Sequence, residues 1–354
     1  MAQAPTHSLL NIPDDEVIQK LRKLSLEEVL KISLISERSK ELMESLQIKG
    51  TSLTVSVQNH ITISIETVSS NLELTFYLEP DMYWGMGANG RKKKLRTPRS
   101  VLVEETSHTD LSEDTSSELK NRDFTMQNWL DHLQQIFHHP NIDLISFDHQ
   151  SFNFDINDVK KVFKNATEVE IGDTGCHIFN QLILQKYSPI ENLDFGFSQN
   201  SRVPKNILIQ NFVELDISEI DDRETTTVKL DEVLLMNSRV MCIDSDLMPA
   251  KQLNKFLKLW QKGSNPRMEL LCIFYREDEE IDNEIIMKGI EHCVISKNAI
   301  RKFKWTGAEE PDLIKGGIDI VRMDGVKATI QILENDEFPS WEMYVWFDHC
   351  LVEA

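Results

Sequence analysis

Residues 141–197 read NIDLISFDHQSFNFDINDVKKVFKNATEVEIGDTGCHIFNQLILQKYSPIENLDFGF. Three short apolar runs, DLISF, EVEI and NLDF, alternate here with the helical patches DVKKVFKN and HIFNQLILQKY. The alternation continues through ELDI, VMCI and LLCI, with PKNILIQN, LDEVLLMN and AKQLNKFLKLW between them. Anchored on Ile145, Val169, Leu193, Leu215, Met241 and Leu271, the runs recur 22 to 30 residues apart. One strand and one helix per repeat of that length predicts a leucine-rich-repeat-like α/β solenoid. A generic α/β domain on a parallel sheet is the alternative.

Side chains of a strand alternate between its two faces, so the two residues flanking each anchor share a surface. In order these are Leu144 and Ser146, Glu168 and Glu170, Asn192 and Asp194, Glu214 and Asp216, Val240 and Cys242, Leu270 and Cys272. The middle rungs therefore set Glu168, Glu170, Asp194, Glu214 and Asp216 abreast, although like charges facing one another destabilise a sheet. Two readings stay open. The face is a solvated acidic surface that keeps the protein soluble, or it recognises a basic segment of a protein target with salt-sensitive binding. Cys242 and Cys272 match in adjacent repeats, but no His or further Cys converges on them and no metal is expected.

Outward from the repeats, the amino-terminal stretch carries helix punctuation. Pro13 suits a first helical position, and Asp14, Asp15 and Glu16 fill a first turn favoured by the helix dipole. Ser25-Leu26-Glu27-Glu28 is a capping box that opens a second helix, and a third spans about 34–46. Leu10, Ile12, Pro13, Leu21, Leu24, Leu26, Val29 and Leu30 offer more apolar area than short helices hide among themselves, which marks an interface. Packing against the strands that follow is the competing use of the same surface. From Ser52 the period becomes two: Leu53, Val55 and Val57, then Ile61, Ile63 and Ile65, then Leu72, Leu74, Phe76 and Leu78 predict an antiparallel meander. Residues 84–122 lose periodicity and read as a linker. Near the other end, Ile318–Arg322 and Lys327–Ile332 flank Asp324-Gly325, a hairpin signal, and WEMYVW at 341–346 adds a strand.

Composition narrows the function. A net charge of −20 over 354 residues excludes a general nucleic-acid binder and suits protein partners. Five cysteines without CxxC spacing read as reduced thiols of a cytoplasmic or nuclear protein. No secretory leader and no membrane span are expected. Gly85, Gly87 and Gly90 spell GxGxxG, but RKKKLRTPR follows where a dinucleotide site needs a helix, so this is a glycine-rich loop. The basic run Arg91, Lys92, Lys93, Lys94, Arg96 and Arg99 is a solvated loop facing the acidic stretch 104–119, a docking strip, or a nuclear import signal. No HExxH, GxSxG, P-loop or kinase signature is present, so neither an enzyme nor a cofactor is expected.

Leu9-Leu10-Asn11-Ile12-Pro13, followed by Leu21, Leu24, Leu26, Val29, Leu30, Ser33-Leu34, Ser36 and Arg38, resembles an F-box, a three-helix adaptor-binding motif that opens on a Leu-Pro-like pair. Here Ile12-Pro13 takes that place, and Ser39-Lys40 stand where an aromatic is usual. LLMNSRV at 234–240, NKFLKLWQKGSNPRMELL at 254–271 and IVRMDGVKATI at 320–330 resemble the type-2 F-box-associated domain of a large nematode-expanded F-box family. The resemblance implies a non-catalytic, substrate-recruiting subunit of a Skp–cullin–F-box ubiquitin ligase. The F-box would dock the Skp adaptor, and through it a cullin, and the associated domain would hold a protein target. A scaffold or decoy that keeps an F-box-like cap is the alternative. The expected α+β architecture is then a three-helix F-box at 1–50, an antiparallel β meander at 51–83 and a flexible linker at 84–122. A leucine-rich-repeat-like F-box-associated domain follows at 123–300, with a β hairpin cap at 301–354.

Overall fold

A computed structural model describes residues 21–77, 92–95, 97–108, 115–119, 123–197, 205–219, 228–244, 248–275, 282–333 and 339–352. Contacts divide the chain into two compact units. The first is Met1–Ser146 with Gln150–Ala166, and the second is Phe147–His149 with Thr167–Ala354. The division falls inside the segment 123–300.

The first unit starts with helices α1 (Leu26–Ser33) and α2 (Glu37–Glu44), followed by β1 (Ser52–Val57), β2 (Ile61–Glu66) and β3 (Ser70–Tyr77). It continues with β4 (Ser100–Ser107), β5 (Thr115–Leu119), α3 (Met126–Ile136), β6 (Ile142–Phe147) and α4 (Ile156–Val162). Strands β1 to β5 pair antiparallel with their neighbours, and β6 lies on the other side of β1. The described period-two residues fill the core: Leu53, Val55, Val57, Ile61, Ile63, Ile65, Leu72, Leu74 and Phe76 are all buried, and Leu78 lies outside the described residues. Trp129 of α3 packs edge-on to Phe76 at 5.8 Å and to Phe124 at 5.2 Å, closing that core from the helix side. Residues 100–107 and 115–119, inside the stretch 84–122, form β4 and β5. Only Val101 and Val103 are buried on β4, too short an apolar alternation to announce a strand among Ser, Thr and Glu.

The second unit holds β7 (Ala166–Ile171), α5 (His177–Tyr187), β8 (Asn192–Phe197), α6 (Lys205–Leu208), β9 (Glu214–Glu219) and α7 (Leu230–Leu235). After these come β10 (Val240–Asp244), α8 (Ala250–Trp260), β11 (Leu270–Phe274), α9 (Asn283–Met287) and β12 (Cys293–Phe303). Strands β13 (Asp312–Val321), β14 (Lys327–Leu333) and β15 (Ser340–Trp346) complete it. The strand order is β12-β13-β14-β15-β11-β10-β9-β8-β7. Strands β7 to β11 run parallel, with Val169, Leu193, Leu215, Met241 and Leu271 on one buried rung. Strand β15 adds antiparallel along β11, pairing Met343 with Leu271, and β14, β13 and β12 follow antiparallel. Gly317, at φ +109°, lies against β14, where a Cβ would sit 2.6 Å from Thr329 Cγ2.

The expected α+β fold, a three-helix F-box with a leucine-rich-repeat-like solenoid under a separate cap, is corrected by this arrangement. Fifteen strands dominate the described residues in mixed pairing, and the helices are 4 to 11 residues long. The presumed cap is no lid: β15 hydrogen-bonds along the full length of β11, so the carboxy-terminal strands extend the sheet sideways. Helices such as α6 and α7, of four and six residues, are too short to build a continuous helical layer. The fold is mostly β.

Candidate protein-interaction surfaces

The amino-terminal helices are anchored to their own unit. Ser25 and Glu28 form the expected capping box, with Ser25 N–H donating to Glu28 Oε2 at 3.0 Å and Glu28 N–H to Ser25 Oγ at 3.2 Å. The next free amides of the first turn, Leu26 and Glu27, each donate at 3.0 Å to the two carboxylate oxygens of Glu105 on β4. Ser33 Oγ meets His132 Nε2 of α3 at 2.7 Å in a buried contact. Burial, with the Lys40 charge second, lowers His132 to about 4, so this link is a neutral hydrogen bond at physiological pH.

That anchoring decides which apolar side chains remain for another molecule. Leu26, Val29 and Leu30 are covered by this chain. Leu21 and Leu24 are half-buried against a cluster of Val29, Met43 and Leu46. Leu10, Ile12 and Pro13 lie outside the described residues. Ile35 is 75% exposed and Leu42 37%, and sequence reading did not single out either as a contact. Ile35 precedes the Ser36 N-cap, and the helix position such a residue would staple against is Lys40 rather than an apolar residue, which was the available signal.

In the second unit the register brings together the acidic residues named from the sequence. Glu168, Asn192 and Glu214 share one rung, and Glu170, Asp194 and Asp216 share the next one on the same face. All six are half-buried. Burial first, and then the neighbouring carboxylates, raises the carboxyl of Glu168. Burial likewise raises those of Asp194 and Glu214. Asp216 is pushed up to about 7 by burial and then by Asp194, Glu214, Asp244 and Glu168. The rungs continue into Val240, Leu270 and Tyr344 and into Cys242, Cys272 and Glu342. There the face is roofed: Phe303, Ile314 and Cys350 bury Val240, Leu270, Cys272 and Tyr344. The acidic ladder thus runs up to an apolar wall. Cys242 and Cys272 are direct partners across β10 and β11, and their contact, with burial second, raises the Cys272 thiol.

One buried polar network was invisible in the sequence. Glu269 accepts from Arg239 Nη1 at 3.1 Å, Thr306 N–H at 2.7 Å, Thr306 Oγ1 at 3.0 Å and His349 Nε2 at 2.9 Å. Burial pushes its carboxyl up, but these donors outweigh it and hold the group below its ordinary value. Cys350 Sγ lies within 4.8 Å of the Glu269 and His349 ligand atoms, a spacing a metal ion could use. Its thiol is pushed up to about 12 by burial and then by Glu269, and the carboxylate already holds a guanidinium. The donor set is that of an ion-pair staple. Of the glycine-rich loop and the basic run after it, Gly85, Gly87, Gly90, Arg91 and Arg96 lie outside the described residues, whereas Lys93 N–H donates to Asn153 O at 2.6 Å. No described helix is long and apolar enough to cross a membrane.

Comparison with known proteins bears on these surfaces. Residues 203–273 match a family model described as F-box associated. That span includes Glu214, Asp216, Arg239 and Glu269. The chain is also 24% identical over 334 residues to the F-box associated domain-containing protein sdz-33 of Caenorhabditis elegans, across 93% of this chain and 95% of that relative. No solved structure matches.

Proposed function

We infer, from the match of residues 203–273 to the F-box-associated family model and the likeness of the chain to an F-box associated domain-containing protein, that it is a non-catalytic adaptor that recruits a protein target to a Skp–cullin–F-box ubiquitin ligase. The amino-terminal helices dock the Skp adaptor, and through it a cullin, while the second unit holds the target. The observation that carries this reading is the apolar side chains left uncovered in the amino-terminal helical segment, where Ile35 between α1 and α2 and Leu42 of α2 are exposed and Leu21 and Leu24 before α1 are half-covered. Leu26, Val29 and Leu30, named from the sequence for the same role, are buried within the chain. For the target, the face carrying Glu168, Glu170, Asp194, Glu214 and Asp216 suits a basic segment. Its like charges weaken the free sheet and are relieved when cations cover them.

Co-purification with the Skp adaptor tests the docking half. Wild type is expected to retain the adaptor at micromolar concentration, and Ile35→Asp is expected to lose it with an unchanged melting curve. Leu42→Asp, at the other exposed apolar residue of this segment, is a second variant. Charge reversal of Glu170 and Asp216 to Lys should leave the adaptor bound and release basic targets. If wild type retains no adaptor, the chain is a scaffold or decoy outside the ligase, a reading favoured by the burial of Leu26, Val29 and Leu30 within the chain itself.

A further inference from the structure

The carboxy-terminal strands line an open pocket of about 840 Å³ to which no family-matched residue contributes and which the surfaces above do not use. One wall is Ile300, Arg301 and Lys302 of β12, another is the β13–β14 turn with Val326 and Lys327, and Trp346 and Leu351 lie beside them. Three features define its chemistry.

The first is charge. Two of the pocket's carboxylates are already satisfied. Arg301 clamps Asp319 with two bonds of 3.0 and 3.1 Å, and its guanidinium sits 4.9 Å from the Trp346 ring. Arg322 holds Asp324 through its Nε at 2.9 Å and its Nη2 at 2.8 Å. Lys302 and Lys327 form no ion pair among the described residues, and Asp348 is the remaining carboxylate of the lining. The pocket is left with two unspent cations against one anion, in a chain of net charge −20.

The second is apolar surface. Ile300 is 58% exposed and Leu351 55% exposed, both at the pocket. The third is backbone. Strand β12 ends the strand order, so only one of its edges is paired with β13. Among the described residues, its other edge is engaged only at the Phe303–Leu351 bridge, next to which Lys304 N–H donates to Cys350 O at 3.0 Å. A free strand edge is a template for a further strand, and side-chain pockets beside it supply the selectivity.

We propose that this pocket takes an extended acidic–apolar segment of a target protein. The segment adds as a strand on the open edge of β12, brings a carboxylate within reach of Lys302 and Lys327, and lays an apolar side chain against Ile300, Leu351 and Trp346. Naming the occupant a target rests on the recruiting role proposed above; the pocket's preference for acidic–apolar peptide does not. The site is opposite in charge to the acidic ladder, so the two surfaces of the second unit select different segments.

Fluorescence anisotropy on the full chain tests this with three labelled hexapeptides: alternating Leu-Glu, alternating Leu-Lys and alternating Ser-Glu. Saturable binding is expected for Leu-Glu alone, weakening as salt rises. Lys302→Glu with Lys327→Glu should weaken it by about tenfold and admit the Leu-Lys peptide. The milder pair Lys302→Gln and Lys327→Gln covers the case in which the reversal disturbs folding. Ile300→Asp should also weaken Leu-Glu binding, and adaptor co-purification should persist in every variant, which separates failure here from failure of the ligase reading. Equal binding of Leu-Glu and Leu-Lys, no saturable binding, or indifference to the lysine variants overturns the proposal. Self-association of the wild-type chain that Ile300→Asp abolishes also overturns it, because the edge would then belong to a second copy.

Discussion

Asp216 shows how a single side chain records a conflict in the fold. Its carboxyl is raised from an ordinary value near 3.8 to about 7 by burial and by Asp194, Glu214, Asp244 and Glu168. A carboxyl raised on folding binds its proton more tightly in the folded chain. Its destabilising effect is therefore absent below about pH 4, grows as pH rises through the window between the two values, and is complete above about pH 7. Asp216→Asn is expected to stabilise the protein by about 2 kcal/mol near pH 8, with the gain shrinking toward about pH 5. Urea unfolding at the two pH values checks this; a gain that does not change with pH would contradict it. These acidic neighbours were legible because period two and the repeat spacing fix which residues share a rung. Glu269 was not legible: its partners Thr306 and His349 come from distant segments, and no local pattern announces a buried carboxylate that satisfies an arginine, a threonine and a histidine together.

At the scale of the element, α1 shows a helix whose start is fixed twice. Its own Ser25–Glu28 box was readable from four consecutive residues. The clamp from Glu105 was not, because β4 carries too few apolar residues to be recognised as a strand, still less as the strand beside this helix. Glu105→Ala removes the acceptor for the Leu26 and Glu27 amides and for Ser70 Oγ. It should cost about 1–2 kcal/mol. Hydrogen exchange across Leu26–Ser33 is expected to quicken while β7 to β11 are unchanged, and unchanged exchange in α1 would show that the clamp carries no weight. The meander β1 to β3 was readable from alternation alone, and its predicted apolar residues, Leu53 through Phe76, are buried as that alternation requires.

For the whole molecule, what escaped sequence reading was long-range pairing. Strands β13 to β15 were visible in the sequence and the mostly exposed β12 was not, and nothing local says that β15 lies along β11, a pairing that turns a presumed cap into an extension of the sheet. The candidate surfaces fall in different units: the helix face in the first, and the acidic ladder and the β12 pocket in the second. The proposed recruiting role requires distinct residues for adaptor and target, since both would be held at once. Hydrogen exchange of the purified chain with and without the Skp adaptor tests the division most directly. The account predicts new protection within residues 21–44 and none from β7 to β15. Absence of protection in those helices, or protection confined to the second unit, would contradict it.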